Sequence, residues 1–201
     1  MKSDAIEPLE FLPSDYFAKA TSADIFDVDR EMELDLGCGD GGFLISMAKQ
    51  NPERNFLGVE RLLGRVRKVC RKAQRANLDN VRLLRLDSAY SVRWLLPKAA
   101  FARVHLLFPD PWPKKRHHRR RIVTEEFGRN VRQLLVPGGE FLFKTDHEEY
   151  FEEASERLAQ LTDIFEIVDW SEDAFFYAET DFERQWKAEG KTIGRLRLRA
   201  V

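Results

Sequence analysis

From Glu31 onward, short apolar runs alternate with amphipathic stretches, and this alternation constrains the fold more than any other feature of the chain. EMELDL (31–36), NFLGVE (55–60), VRLLRL (81–86), RVHLLF (103–108) and GEFLFKT (139–145) have the length and composition of strands. RVHLLF is apolar enough to predict a strand buried on both faces, and GEFLFKT follows the turn signal Pro137-Gly138-Gly139. Between these runs the pattern predicts a helix over 42–50, stopped by Asn51-Pro52, and another over 124–135. A basic helix is expected where Val66, Val69, Cys70, Ala73 and Ala76 share one face. Strands separated by helices imply βαβ crossovers, hence an α/β fold with a mainly parallel sheet between helical layers. After an acidic helix over 148–161, IFEIVDW and TIGRLRLRAV read as a closing strand pair.

The totals agree with one core. The chain has 201 residues, 43% hydrophobic and 33% charged, which suits a single folded domain over 31–201 preceded by a short irregular or helical lead-in over 1–30. No apolar run approaches the ~20 residues of a membrane span, so no membrane partner is expected. The first residues, MKSDAIEPLEF, lack the basic start and apolar stretch of an export signal, so the expectation is a cytoplasmic protein. Cys38 and Cys70 fit a reducing compartment, and no Cys/His spacing suggests a metal. Oligomeric state is not legible in the pattern.

ELDLGCGDGG places Gly37, Gly39, Gly41 and Gly42 between the first strand and the first long helix. A strand-to-helix turn that a ligand must approach closely needs residues without Cβ, so a nucleotide-type ligand is expected there. Glu60 ends the second strand 18 residues beyond Gly42, where a carboxylate accepts ribose hydroxyls. Asp87 closes the third strand, placed to meet an adenine amino group, and Asp110 follows the fourth. Ligands in open α/β sheets lie beyond the carboxyl ends of the strands, so Asp35, Glu60, Asp87 and Asp110 are expected to share one crevice. Such a set of carboxylates favours a cationic sulfonium over a pyrophosphate. Taken singly, each carboxylate could equally be a helix cap or turn residue.

The run HLLFPDPWPKKRHHRRR joins that crevice to a different kind of partner. Pro109, Pro111 and Pro113 fix φ around Asp110 and Trp112 and hold the chain stiffly as it leaves the sheet. Lys114 to Arg121 then contains six Lys or Arg and two His. The net charge of −1 conceals a second basic stretch, Arg61 to Arg75, with seven basic residues and no acidic one, against eleven acidic residues from Asp146 to Asp173. Segregated positive charge suits a phosphate backbone, although a solvated surface is the commoner fate of any one run. Trp112 can stack on a base or simply cap the core, and His117 and His118 are poorly spaced for zinc.

FPDPWPKKRHHRRR, with LDLGCGDG, FLGVE, KTD and the C-terminal TDFE, resembles the bacterial tRNA (guanine-N7-)-methyltransferases over roughly residues 31–199. The resemblance implies a seven-stranded, Rossmann-like class I methyltransferase fold with helices on both faces. It also implies S-adenosyl-L-methionine as methyl donor, tRNA as partner, and methylation of guanine N7 at position 46 of the variable loop. Carried over residue by residue, it assigns Asp35, Glu60, Asp87 and Asp110 to the cofactor alongside Gly37 and Gly39, with Asp110 also catalytic. It assigns Lys114, Asp146, Arg116, Arg119, Arg120 and Arg121, and the segment Thr180, Asp181, Phe182 and Glu183, to the RNA substrate. The family usually has Glu at the position of Asp35 and Lys at the position of Asp181. Guanine N7 carries a free lone pair at neutral pH, so no nucleophilic His or Cys is required. A methyltransferase of another substrate class and an RNA-binding protein without catalysis are the alternatives. A dehydrogenase is disfavoured because PDPW offers no acid or base for hydride transfer.

Overall fold

A computed structural model of the chain describes residues 8–171 and 175–201. Residues 1–7 of the lead-in, and Glu172 and Asp173 of the acidic run, lie outside the described residues.

A seven-stranded sheet has the order β3-β2-β1-β4-β5-β7-β6. Its strands are β1 (Met32–Leu36), β2 (Asn55–Val59), β3 (Val81–Leu84), β4 (Phe101–Leu107), β5 (Leu135–Thr145), β6 (Phe165–Val168) and β7 (Gly194–Ala200). The first five are parallel, whereas β7 inserts antiparallel between β5 and β6. Strand order reverses between β2-β1 and β4, which opens a crevice at the carboxyl edge. The expected closing pair is therefore present, and the sheet matches the mainly parallel, seven-stranded architecture the sequence implies.

The helices are α1 (Ser22–Ile25), α2 (Gly42–Gln50), α3 (Leu63–Arg75), α4 (Ser88–Tyr90), α5 (Glu125–Leu134), α6 (Glu148–Ala159) and α7 (Asp181–Ala188). Two apolar layers flank the sheet. On one face Phe43, Leu44 and Met47 of α2 and Val66, Val69 and Cys70 of α3 pack with Phe56, Val81 and Leu83. On the other, Phe127 and Val131 of α5 and Tyr150 and Leu158 of α6 cover Leu34, Leu36, Val104 and Leu106. The side chains of β1 alternate as a pleat requires, so Glu33 and Asp35 face opposite to Leu34 and Leu36.

Two expectations change. β5 begins at Leu135, before the Pro-Gly-Gly turn signal, because Leu135 pairs with Phe101 and pairing resumes at Glu140 opposite Arg103. The three-residue Pro137-Gly138-Gly139 segment is absorbed as a bulge, with Gly138 at φ +73°. β4 is not apolar on both faces: His105 is buried among polar partners and Arg103 is ion-paired. The lead-in is also tied to the sheet. Glu10 bridges Leu83 in parallel sense, with Phe11 N–H donating to Leu83 O at 2.7 Å and Leu83 N–H to Leu9 O at 2.8 Å.

Candidate active site

The crevice is built around the turn from β1 into α2. Gly37 and Gly39 adopt φ of +74° and +55°. A Cβ on Gly37 would meet nothing within 4 Å, and one on Gly39 only a backbone oxygen at 3.9 Å. Here glycine allows the left-handed backbone and leaves a bare cradle that a ligand can enter. Glu60 holds the cradle from beside β2. Its carboxylate accepts from Gly39 N–H at 3.2 Å and Leu62 N–H at 2.8 Å, and lies 3.7 Å from Arg65.

Asp35 sits beneath the cradle, 3% exposed. Burial, then the charge of Glu60, raises its carboxyl to about 7. Asp87 caps α4 by accepting from Tyr90 N–H at 3.0 Å and remains exposed at the end of β3. Its carboxylate thus serves as a helix cap.

Asp110 is exposed beyond β4, between two residues in the left-handed region, Phe108 at φ +52° and Trp112 at φ +47°. Such a conformation costs about 1–3 kcal/mol for a bulky residue and persists only where the surroundings enforce it. The three prolines stiffen the segment, and Phe108 N–H is anchored to Lys144 O at 2.8 Å. Trp112 is not a free stacking platform: Arg120 lies 4.8 Å over its ring and His117 packs edge-on.

The basic run forms a 3-10 helix over Lys115–Arg120, and Lys114, Arg116, Arg119 and Arg120 are exposed. Arg121 differs and corrects the expectation of an RNA contact. Its side chain is buried, paired with Glu153 and hydrogen-bonded to Pro111 O at 2.8 Å, and it covers the Tyr150 ring. It clamps the proline segment to α6. Asp146 stands half-buried at the end of β5.

The C-terminal motif is a helix start that the strand-based reading missed. Thr180 caps α7 by accepting from Glu183 N–H at 2.9 Å, and Ser/Thr followed three residues later by Glu is the sequence signal for such a start. The first turn of α7 then touches three parts of the crevice. A Cβ on Gly42 would come within 3.1 Å of Asp181 Oδ2, and Phe182 packs on Phe108 with ring centres 6.4 Å apart. Glu183 meets Lys144 Nζ with both oxygens, at 3.0 and 2.9 Å. Glu183 is buried and spent on this bridge, and Thr180 is buried in its cap, so neither is presented to RNA, contrary to expectation. Asp181 and Phe182 remain exposed. Asp181 pairs with Arg184, and a carboxylate suits the first turn of a helix.

Beneath α7 lies a polar layer that no motif announced. His105 Nε2 is 2.9 Å from Glu33 and Nδ1 is 2.8 Å from Tyr177 Oη. Burial pushes Glu33 up, but His105, Arg103 and Arg54 outweigh it and hold the carboxyl below its usual range. Burial lowers His105 against the pull of Glu33 and raises Tyr177 well above an ordinary phenol. A neutral His105 thus donates from Nε2 to Glu33 and accepts at Nδ1 from the Tyr177 hydroxyl. Phe175 stacks on Arg103 at 4.0 Å, and Tyr177 lies 4.7 Å from Lys144 Nζ. Among the described residues no cluster of His, Cys, Asp or Glu could hold a metal ion, and no helix is long and apolar enough to cross a membrane.

A seven-stranded, mainly parallel sheet ordered β3-β2-β1-β4-β5-β7-β6, with a glycine turn at its switch point, is the class I methyltransferase fold. Similar solved structures include the 16S rRNA methyltransferase KamB, with TM-score 0.63 and 20% identity over 90% of this chain and 93% of that one. The tRNA (m1A58) methyltransferase TrmI from Aquifex aeolicus has TM-score 0.56 and 14% identity over 85% of this chain and 62% of that one. A family model described as "Putative methyltransferase" matches residues 29–196. Relatives called tRNA (guanine-N(7)-)-methyltransferase include those of Thermotoga maritima, 36% identical over 84% of this chain, and Syntrophotalea carbinolica, 32% identical over 90%. The chain spans 54% of the length of the first relative and 82% of the second. It belongs to the tRNA (guanine-N(7)-)-methyltransferase family.

Proposed function

We propose that this protein transfers the methyl group of S-adenosyl-L-methionine to N7 of a guanine in tRNA, at position 46 of the variable loop. The observation that carries the reading is the rigid presentation of Asp110 between Phe108 and Trp112, next in strand order to the glycine cradle. The family relatives support the substrate class. The residues present are compatible with the donor: Gly37 and Gly39 leave room, Glu60 beside them would take the ribose hydroxyls, and Asp87 would meet the adenine.

When bound, S-adenosylmethionine supplies an electrophilic methyl on a sulfonium. Guanine N7 already exposes its lone pair, so the protein's residues need not remove a proton before attack. Their task is alignment and charge. Asp110 balances positive charge that develops on the purine, or grips its N1–H and exocyclic amine. Asp146, at the end of β5, can share that role. Asp181 and Phe182 roof the crevice from α7, and Lys114, Arg116, Arg119 and Arg120 hold phosphates at its mouth.

The test is direct. Protein incubated with labelled S-adenosylmethionine and bulk tRNA should transfer label, and chemical cleavage at 7-methylguanosine should map it to position 46. Asp110→Ala should fold and bind cofactor, though more weakly, while losing transfer; turnover near that of the native protein would remove Asp110 from the catalytic role.

A further inference from the structure

The crevice and the Lys115–Arg120 turn leave without a use a strongly basic feature, the outer face of α3. Val66, Val69, Cys70 and Ala73 point inward and seat the helix on the sheet. The outward positions from Arg61 to Arg75 carry seven basic residues and no carboxylate. Some of that charge is met locally. Lys68 lies 2.5 Å from Asp40, Lys72 donates to the Asp40 carbonyl at 2.6 Å, and Arg65 lies 3.7 Å from Glu60. Arg61, Arg71 and Arg75 are exposed and meet no carboxylate among the described residues.

A helix maintained only to cover the sheet gains from carboxylates placed four residues from its cations and loses from like charges at that spacing. Arg67, Arg71 and Arg75, and likewise Lys68 and Lys72, are like charges at that spacing. The pattern opposes the isolated helix and favours one lying against an anion.

Position identifies the anion. α3 starts just past Glu60, at the carboxyl edge, and runs back along the sheet for about 20 Å at 1.5 Å per residue. The Lys115–Arg120 turn follows β4, two strands from β2 and so about 10 Å across the same edge. The two basic features bracket the glycine cradle. We propose that the Arg61–Arg75 face of α3 is a second phosphate-binding surface, along which the RNA backbone lies while its guanine occupies the crevice. This rests on the methyltransferase reading above. The surface positions an RNA without reading its bases, so it governs affinity and leaves the methyl-transfer step unchanged.

The experiment compares the native protein with the double variant Arg71→Glu/Arg75→Glu. Both positions are distant from Glu60 along the helix, and glutamate is a good helix former. Folding is checked by thermal melting, and cofactor binding by calorimetry with S-adenosylhomocysteine. Affinity for unmodified tRNA is measured across 50–300 mM salt. The variant should bind cofactor as the native protein does, raise KM for tRNA roughly tenfold or more, and lower the slope of log affinity against log salt by roughly two. Transfer at saturating tRNA should be retained. Lys98→Glu, at an exposed position in the connection that leads into β4, controls for net charge.

An unchanged slope in a folded variant, or an equal loss per charge with Lys98→Glu, would overturn the proposal. A native protein that does not methylate tRNA would overturn the methyltransferase reading instead, so the two failures are distinguishable.

Discussion

At the scale of single residues, the carboxylates of the crevice are not equivalent. Asp35 keeps its proton to about pH 7, whereas an unfolded Asp ionises near 4. Below about pH 4 both states are protonated and Asp35 costs nothing. Between about 4 and 7 the unfolded chain has released the proton and the folded one retains it, so stability falls as pH rises through this window. The full penalty, about 4 kcal/mol, applies above it. Asp35→Asn should flatten the decline in melting temperature across this range, and a profile identical to the native one would show that Asp35 ionises normally. A sulfonium favours the ionised carboxylate. Affinity for S-adenosylmethionine should therefore rise relative to the uncharged-sulfur product between pH 6 and 8, and the Asn variant should lose that trend. Glu60 is fixed by two backbone N–H groups. Its replacement by Ala should weaken cofactor binding by about 1.5–3 kcal/mol, roughly ten- to a hundredfold by calorimetry. An unchanged affinity would remove it from the ribose role.

At the scale of elements, α7 packs its first turn against the glycine turn, Phe108 and β5. It is held by a buried ion pair whose side chains are 6% and 2% exposed, Lys144 and Glu183. Burial pulls the Lys144 ammonium below its ordinary value and Glu183 opposes the shift. Glu183→Gln leaves that ammonium without its counter-charge and should destabilise the fold by about 3–5 kcal/mol. Lys144→Met/Glu183→Leu should recover much of the stability in chemical denaturation. If the single variant unfolds at the native denaturant midpoint, the bridge is not what secures α7. The adjoining layer is subtler. Tyr177→Phe would strand His105 Nδ1 and should cost about 1–3 kcal/mol, since the group remains buried. Glu183 and Arg121 show why a motif can carry the right address and the wrong role. The family resemblance assigned both to the RNA, but the folded chain turns them inward to pair with Lys144 and Glu153. No local pattern records that pairing, because the partners are 39 and 32 residues away in sequence.

At the scale of the whole molecule, charge is sorted by place. The acidic α6 supplies the partners that retain Arg121, while Arg119 and Arg120 are exposed, Arg120 lying over the Trp112 ring. Arg119→Glu/Arg120→Glu should therefore lower the salt slope of tRNA affinity by roughly two at only a small cost in melting temperature, that of the Arg120–Trp112 contact. Arg121→Glu should chiefly destabilise the fold. A variant at Arg121 that melts like the native protein and loses only RNA affinity would reverse that assignment.

The sequence by itself determined the parallel core, the glycine turn at Gly37–Gly42 and the proline cage around Asp110. Each depends on local periodicity or on backbone restrictions that glycine and proline impose wherever they occur. It also contained, unread, the Thr180–Glu183 cap that starts α7. Only the tertiary structure decided which polar residues face solvent. Glu33, His105, Lys144, Arg121 and Glu183 are buried because partners distant in sequence compensate their desolvation. Such compensation exists only once the strands and α7 are assembled.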